Sequence, residues 1–376
     1  MINDKKVVVV MPAYNADRTL RQTHKEVMDQ LQQQDVLYER DGALWFRMPT
    51  DVESISFTDL IRGRITVPLN TIDDFVVRRS DGSPIYNFCV VVDDTDMNIS
   101  HVIRGEDHIS NTIKQILLYQ ALSWQPPQFA HLPLIVNAAG APLSKRDGIT
   151  DVARYREAGF LPQALLNYLV RLGWAHGDQE LFSKAEMIQL FTLGGVGKKA
   201  AVFDIEKLSW VNQQHLMRLT KDELLAQLQA LDLITDTEPV LGLPKDQAVA
   251  YLALYQSRAT TLTDLADSVR KLSARPLMSE VPESAPWLAP NTGRLIHQFI
   301  EEVTSIPDWE KQSLLESARR VVKMAGVGLA LLGQPLRFAI VGTTSSPGIF
   351  DIMAIMGRDE SMARLHCFEE LLRTSA

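Results

Sequence analysis

The residues of this chain that are best suited to chemistry include two adjacent cations on a loop. A run of small residues from Ala138 to Pro142 leads into the tripeptide Ser144-Lys145-Arg146. Lysine and arginine form strong, charge-assisted hydrogen bonds with phosphate oxygens, and they stabilise negative charge that develops during a reaction. The loop is therefore suited to act on a polyphosphate through Lys145 and Arg146.

A second set of polar residues is predicted to lie at the carboxyl ends of strands. The apolar, β-branched run from Tyr86 to Val92 predicts a buried strand, and Asp93 and Asp94 follow it directly. His101 to Ile103 predicts a second strand, and four polar residues stand at its exit: Arg104, Glu106, Asp107 and His108. Open α/β sheets bind ligands outside the carboxyl ends of their strands. We therefore expect these side chains to converge on one crevice.

The elements that position these residues differ before and after Thr150. Between residues 28 and 70, apolar and polar residues alternate in ALWFRMP and in SISFTDLIRGRITVP, which predicts antiparallel strands. After Thr150 the apolar residues recur at helical spacing, and this pattern dominates from Thr220 onward. A cluster of Pro, Ser and Glu at 276–290 predicts a linker between two helical bundles. The sequence thus predicts an α/β part followed by an all-α part.

Composition limits the classes of protein to consider. The 376 residues are 46% hydrophobic, enough for two or three domains of ordinary size. No apolar run approaches the roughly 20 residues of a membrane span and no cleavable signal is recognisable, so we expect a cytoplasmic protein. The net charge of −8 disfavours indiscriminate nucleic-acid binding but permits RNA binding through a local basic face. Two distant cysteines, Cys89 and Cys367, support neither a disulfide framework nor a zinc site.

Several long motifs carry a resemblance to a known family. LSKRDG, which contains Lys145, resembles the second signature loop (KMSKS) of class I aminoacyl-tRNA synthetases. IYNFCVVVDDTDM and HVIRGEDHISNT are similar to bacterial glutamyl-tRNA synthetases, and the likeness continues through FLPQALLNYLVRLGW, VFDIEKLSWVN and QPLRFAIVG. It covers the chain from about Leu37 to the C-terminus. The resemblance implies a partial, Rossmann-like nucleotide-binding catalytic domain, followed by all-α stem-contact and anticodon-binding helical bundles.

The resemblance also implies roles for individual residues. Tyr86 and Arg104 match positions that bind glutamate, although Tyr86 also fits a core tyrosine. Glu106, Asp107 and His108 match the lining of the adenosine pocket, and Ser144, Lys145 and Arg146 match the catalytic loop over the ATP phosphates. Four residues match anticodon contacts but also fit surface charges or an ordinary turn: Arg258, Arg337, Pro347 and Ile349.

The activity implied by the resemblance is that of a glutamate-tRNA ligase. Such an enzyme forms glutamyl-adenylate from ATP and glutamate, with Mg²⁺ neutralising the phosphates, and passes the acyl group to tRNA(Glu). The family expectation is a monomer without a zinc site and without a membrane partner. Helical rather than β-barrel anticodon regions are typical of the bacterial glutamyl enzymes, and the sequence after Thr220 follows that pattern.

The N-terminal segment departs from the family. KKVVVVMPAYNADRTL resembles the opening of family 2 glycosyltransferases, and no HIGH-like stretch occurs in the sequence. Asp93 and Asp94 imitate the metal-binding acids of such a transferase, but their flanks fit the synthetase pattern. Without the HIGH clamp, transition-state stabilisation would be incomplete. An alternative function is therefore a catalytically impaired, tRNA-binding remnant, and a glycosyl-transferring protein is a minor third possibility.

The expected organisation has four segments. Residues 1–27 form a glycosyltransferase-like strand and turn, and residues 28–150 a synthetase catalytic remnant with the KMSKS-like loop. Residues 151–216 form a helical stem-contact domain. Residues 217–376 form a helical anticodon-binding region of two bundles, joined by the linker at 276–290.

Overall fold

The structure of the protein is a computed structural model that describes residues 19–143, 151–235, 239–276 and 291–374. The described residues form two compact units. The first unit contains the described residues up to Leu143 together with Leu166–Asp204. The second contains residues 151–165 and the described residues from Ile205 onward. The predicted linker at 276–290 and the loop around Lys145 lie largely or wholly outside the described residues.

The first unit mixes helices and strands. Up to residue 143 its elements are α1 (Thr19–Gln33), β1 (Leu37–Arg40), β2 (Ala43–Phe46), β3 (Ser54–Asp59), β4 (Gly63–Pro68), β5 (Phe75–Arg78), α2 (Tyr86–Asp96), β6 (His101–Gly105), α3 (Ile109–Ala121), β7 (Gln128–Leu132) and β8 (Ile135–Val136). The elements that follow, α4 to α7, are α4 (Val152–Glu157), α5 (Pro162–Arg171), α6 (Lys184–Leu190), β9 (Ala201–Val202) and α7 (Ile205–Met217). Helices α4 and α7 belong to the second unit, and α5 spans the boundary between the units.

Two sheets account for most strands of the first unit. Strands β1, β2 and β5 form an antiparallel sheet in that order. The second sheet has the order β4-β3-β7-β6, in which β3 and β4 are antiparallel and β3, β7 and β6 are parallel. Helix α3 connects β6 to β7 as a crossover between parallel neighbours. The antiparallel strands predicted between residues 28 and 70 and the strand predicted at residues 101–103 are thus confirmed.

The strand predicted from Tyr86 to Val92 is wrong, because this segment is helix α2. Its most buried apolar residues are Phe88, Val91 and Val92, at positions i, i+3 and i+4, which is the spacing of one helix face. The β-branched residues gave this segment a strand-like composition. Helix propensity differs little between residue types, however, and the packing of the segment against the hydrophobic core of the first unit outweighs that difference. Asp93 and Asp94 consequently lie near the end of a helix and not at the end of a strand.

The second unit is helical throughout its described residues. From residue 221 its helices are α8 (Lys221–Ala230), α9 (Lys245–Tyr255), α10 (Leu262–Arg270), α11 (Thr292–Thr304), α12 (Lys311–Met324), α13 (Leu329–Val341), α14 (Ile349–Met356) and α15 (Arg358–Thr374). Helix α11 is typical, since Leu295, Ile296, Phe299, Ile300 and Val303 form one buried stripe at helical spacing. The all-α character predicted for this part of the chain is confirmed. No helix among the described residues is long and apolar enough to cross a membrane.

A buried arginine links α15 to α13 and to the segment that follows α10. Arg364 of α15 is only 2% exposed, and its guanidinium donates to the carbonyl oxygens of Leu272 (2.8 Å) and Ile340 (2.7 Å) and to the Glu360 carboxylate (2.8 Å). Arg275 also pairs with Glu360, at 2.7 Å, but is largely exposed. Each nitrogen of the Arg364 guanidinium thus has a hydrogen-bond partner, which compensates for the desolvation of its charge.

Replacing Arg364 by Leu is expected to lower the free energy of unfolding of the second unit by about 3–5 kcal/mol, because the variant leaves a carboxylate and two carbonyls without their buried donor. Denaturant unfolding followed by circular dichroism measures this loss. The matched control is Arg275→Gln, which removes the exposed partner of the same carboxylate and is expected to cost at most about 1 kcal/mol. Equal losses in the two variants would contradict the role given to Arg364.

The same carboxylate predicts a pH dependence. Hydrogen bonds from Arg275 and then Arg364 lower the pKa of Glu360 from 4.5 to about 2, although burial opposes them. A carboxyl group whose pKa is lower in the folded state stabilises the fold above its unfolded pKa, and this contribution disappears as pH falls through the folded pKa. The stability of the second unit should therefore decline between pH 4.5 and 2. Thermal melts of Glu360→Gln should show a weaker pH dependence over this range than melts of the unchanged protein.

Candidate active site

A buried acid-imidazole pair lies where the parallel strands of the first unit end. Asp59, the last residue of β3, is 2% exposed, and His131 of β7 is completely buried. Oδ2 of Asp59 accepts from the backbone N–H of His131 (3.0 Å) and lies 2.7 Å from its Nδ1. Oδ1 accepts from the backbone N–H groups of Ile61 (2.9 Å) and Arg62 (2.8 Å). The carboxylate is thus surrounded by donors.

These contacts fix the protonation states of the pair. Burial raises the pKa of Asp59, but the N–H groups of Arg62, His131 and Ile61 outweigh it, and the pKa lies below its ordinary value. Burial lowers the pKa of His131, Asp59 raises it, and the positive charges of Arg104 and Arg62 lower it further, so that it lies below its ordinary value. At neutral pH the carboxylate is therefore ionised and the imidazole neutral. Because both carboxylate oxygens can only accept, Nδ1 of His131 carries the proton and Nε2 is an acceptor.

Arg104 of β6 extends this pair into a network. The β6-β7 register places Arg104 directly beside His131, and Nε of Arg104 lies 3.4 Å from Nε2 of the imidazole. Nη2 of Arg104 donates to Oγ1 of Thr112 (2.5 Å) and to Oε1 of Gln115 (2.8 Å), both buried on α3. The Gln115 amide in turn donates to Asn87 of α2 at 3.2 Å. One edge of the guanidinium is thus held by residues of strand β7 and helix α3.

The structure brings Tyr86 and Arg104, the two predicted glutamate-binding residues, close to each other. Burial lowers the pKa of Arg104, and the neighbouring Tyr86, Asp94 and Asp107 raise it. Tyr86 begins α2 and is 44% exposed, so it is not a core tyrosine, and its ring lies 6.1 Å from that of His108. An accessible phenol beside a largely desolvated cation is an arrangement that suits a ligand carboxylate.

Asp94 adds a titratable group to this side of the site. Burial raises its pKa to about 6, Arg104 opposes that shift, and Asp93 adds to it. The helix α2 therefore supplies both the exposed Tyr86 and a partly buried carboxyl group near the guanidinium. Asp94 remains mostly ionised at neutral pH and offsets part of the Arg104 charge when no ligand carboxylate is present.

The residues predicted to line the adenosine pocket differ in whether their polar atoms are free to contact a ligand. Glu106 forms an ion pair with Arg62, and its Oε1 accepts from the backbone N–H of Leu134 at 3.0 Å, so both of its oxygens are occupied. Asp107 and His108 are 3.7 Å apart and partly exposed, and His108 also contacts Asn111 at 3.2 Å. Glu106 thus connects the β3-β4 turn to the segment after β7, whereas Asp107 and His108 can reach a ligand.

The predicted catalytic loop is not covered by the part of the chain that the structure describes. Ser144, Lys145 and Arg146 lie outside the described residues. Within the described ranges, no group of three or more His, Cys, Asp and Glu side chains could hold a metal ion.

The predicted anticodon contacts come together in the second unit. Arg258 donates to Oγ of Ser345 at 3.3 Å, and Arg337 donates to the carbonyl oxygen of Ser346 at 2.8 Å. Both arginines thus approach one turn between α13 and α14, in which Pro347 is buried. Ile349, the first residue of α14, is 4% exposed, so it supports the turn from within. Binding of tRNA by these residues stays a prediction.

The sequence analysis missed the buried hydrogen-bond network around Arg104. The sequence gives only a weak signal for these residues, since each is a polar residue inside a largely apolar segment. A polar side chain that is buried in such a segment needs a hydrogen-bond partner. No spacing rule relates them, because they lie on four different elements. They are Asp59, Asn87, Thr112, Gln115 and His131.

Comparison with known proteins matches most of the chain to two protein families. Residues 8–210 match the family described as "tRNA synthetases class I (E and Q), catalytic domain", and residues 214–368 match "Anticodon binding domain". The first match begins inside the segment that resembles glycosyltransferases. Both matches confirm the predicted fold class.

Individual relatives point the same way. The chain is 42% identical to a glutamate-tRNA ligase of Anaeromyxobacter dehalogenans over 87% of this chain and 68% of the relative. It is also 42% identical to glutamate-tRNA ligase 1 of Syntrophus aciditrophicus, over 82% of this chain and 64% of the relative. A crystal structure of a glutamate tRNA ligase from Elizabethkingia meningosepticum superposes with a TM-score of 0.74 at 32% identity, covering 92% of this chain and 71% of that one.

The chain thus spans about two thirds of the length of these relatives. The family matches, the identities and the superposition agree with one another and with the motifs around Arg104. This chain belongs to the glutamate-tRNA ligase family of class I tRNA synthetases.

Proposed function

We propose that this chain attaches glutamate to tRNA(Glu) in an ATP-dependent reaction that passes through glutamyl-adenylate. The observation that carries the proposal is the Arg104 guanidinium, which is desolvated, oriented by buried acceptors and flanked by the accessible Tyr86. Such a cation is suited to a substrate carboxylate, and the family relationship identifies an amino acid with a carboxylate side chain.

The proposed order of events uses the residues of the first unit. Arg104 and Tyr86 hold glutamate, while Asp107 and His108 contact the adenosine part of ATP. Lys145, with Ser144 and Arg146, stabilises the charge that develops on the phosphates when the glutamate α-carboxylate attacks the α-phosphorus and pyrophosphate leaves. Mg²⁺ bound to the ATP phosphates would neutralise part of their charge.

The second unit supplies the proposed RNA contacts. Arg258 and Arg337 surround the Ser345–Gly348 turn, and an arginine presents planar donors that match base edges and phosphates. The chain carries a net charge of −8, so binding would depend on such local basic groups and would be selective for the folded tRNA. We further propose that the protein acts as a monomer in the cytoplasm.

Pyrophosphate exchange that requires glutamate and tRNA tests the ligase function. The purified chain should exchange labelled pyrophosphate into ATP, and Lys145→Ala should slow this exchange about 100- to 1,000-fold, because a donor that acts on transition-state charge is lost. The control Lys25→Ala changes an exposed lysine of α1 and should leave the rate unchanged. Absence of exchange together with tight tRNA binding would instead support the remnant, the alternative that the missing HIGH stretch suggests.

Arg104→Gln tests the assignment of the substrate carboxylate. The change removes the charge but keeps a hydrogen-bonding side chain, so the KM for glutamate should rise about 10- to 100-fold, the cost of a charge-assisted hydrogen bond. The KM for ATP should stay within about twofold, because Arg104 is not placed on the nucleotide. Arg64→Gln removes an exposed arginine of β4 and serves as the control. Equal effects on both KM values would refute the assignment.

A further inference from the structure

We propose that His131 and Thr112 are positioning residues that hold the Arg104 guanidinium in the orientation that receives the glutamate carboxylate, with Asp59 fixing the imidazole. This inference rests on the proposed function, in which Arg104 binds glutamate. None of the three supporting residues needs to contact the substrate. Each acts through hydrogen bonds that end at Nε or Nη2 of Arg104.

The first step of the argument is the sheet register. Parallel pairing puts Arg104 of β6 opposite His131 of β7, and pairing of β3 with β7 brings Asp59 alongside Phe129, two residues earlier on β7. Neighbouring positions on parallel strands direct their side chains to the same face of the sheet. The acid, the imidazole and the guanidinium therefore follow one another across three adjacent strands, and the pairing of the strands fixes this spatial order.

The second step concerns the direction of the hydrogen bonds. Nδ1 of His131 donates to Asp59, so Nε2 of the neutral ring offers a lone pair towards Nε of Arg104 (3.4 Å) and Oγ1 of Thr112 (2.9 Å). Oγ1 of Thr112 accepts from Nη2 of Arg104, and its single proton can go to the imidazole or to the carbonyl oxygen of His108 at 3.1 Å. Every acceptor thus faces the same edge of the guanidinium.

The third step is the consequence for binding. Arginine side chains have many rotamers, and a cation that must be ordered on ligand binding gives weaker affinity than one ordered beforehand. The Nε–Nη2 edge of Arg104 is held by buried partners, since Thr112 and His131 are completely buried and Gln115 is nearly so. The side-chain entropy of Arg104 is therefore lost during folding and not on ligand binding, so a glutamate carboxylate binds a guanidinium that is already in place.

A matched pair of variants separates positioning from mere packing. Thr112→Val keeps the shape of the side chain but removes the acceptor for Nη2 and the partner of the imidazole. Thr112→Ser keeps the hydroxyl and loses only a methyl group. A second pair acts on the imidazole: His131→Asn retains a donor towards Asp59 but lacks an acceptor that reaches Arg104, whereas His131→Gln places an amide oxygen close to the former Nε2.

Two measurements on the full chain give the outcome. Calorimetry should show glutamate affinity about tenfold weaker in Thr112→Val and His131→Asn, the loss typical of one hydrogen bond to a charged group. Thr112→Ser and His131→Gln should bind more tightly than their partners. NMR of ¹⁵N-arginine protein should show a slowly exchanging Nε–H of Arg104, identified by its absence in Arg104→Gln. This signal should broaden or disappear in Thr112→Val and His131→Asn.

The experiments can refute the proposed function and the positioning role independently of each other. If the unchanged protein binds no glutamate, the proposed function fails, while the Arg104 Nε–H signal still decides whether the two residues order the side chain. If glutamate binds and the ordered signal survives both disruptive variants, the positioning role is overturned. Equal loss of affinity in Thr112→Val and Thr112→Ser would likewise overturn it, because the hydroxyl would then be irrelevant.

Discussion

The buried contact between Asp59 and His131 is the constraint on which the first unit depends. An ionised carboxylate can be removed from water only if its oxygens receive hydrogen bonds, and Asp59 receives them from three backbone N–H groups and one imidazole. Those donors come from the β3-β4 turn and from β7. The requirement therefore fixes how the turn, the two strands and the imidazole lie relative to one another.

This arrangement also determines the environment of Arg104. With Nδ1 committed to Asp59, the imidazole presents an acceptor to the next strand, and helix α3 adds Thr112 and Gln115. These neighbours stabilise the cation, and no described carboxylate lies at bonding distance from it, so the guanidinium is able to pair with an incoming carboxylate. The neighbouring Asp94, with a pKa raised by burial to about 6, contributes the compensating charge when the site is empty.

Much of this could be read from the sequence, and the failures have physical causes. Long periodic segments gave the all-α second unit, and ordered motifs gave the family and the pair Tyr86 and Arg104. The run from Tyr86 to Val92 was misread because a short, largely apolar run fits a buried strand and a buried helix equally well. The partners of Arg104 were missed because strand register, which brings positions 59, 104 and 131 together, is not encoded in local spacing.

The hydrogen bonds of Arg364 limit the order in which the parts of the second unit can fold. One of them joins the carbonyl of Leu272 to a guanidinium 92 positions later in the chain, on the last helix. A contact of such long range cannot close until the chain has been synthesised through α15. Until then the carbonyls of Leu272 and Ile340 lack their guanidinium donor, so this part of the molecule can complete its folding only after α15 has been made.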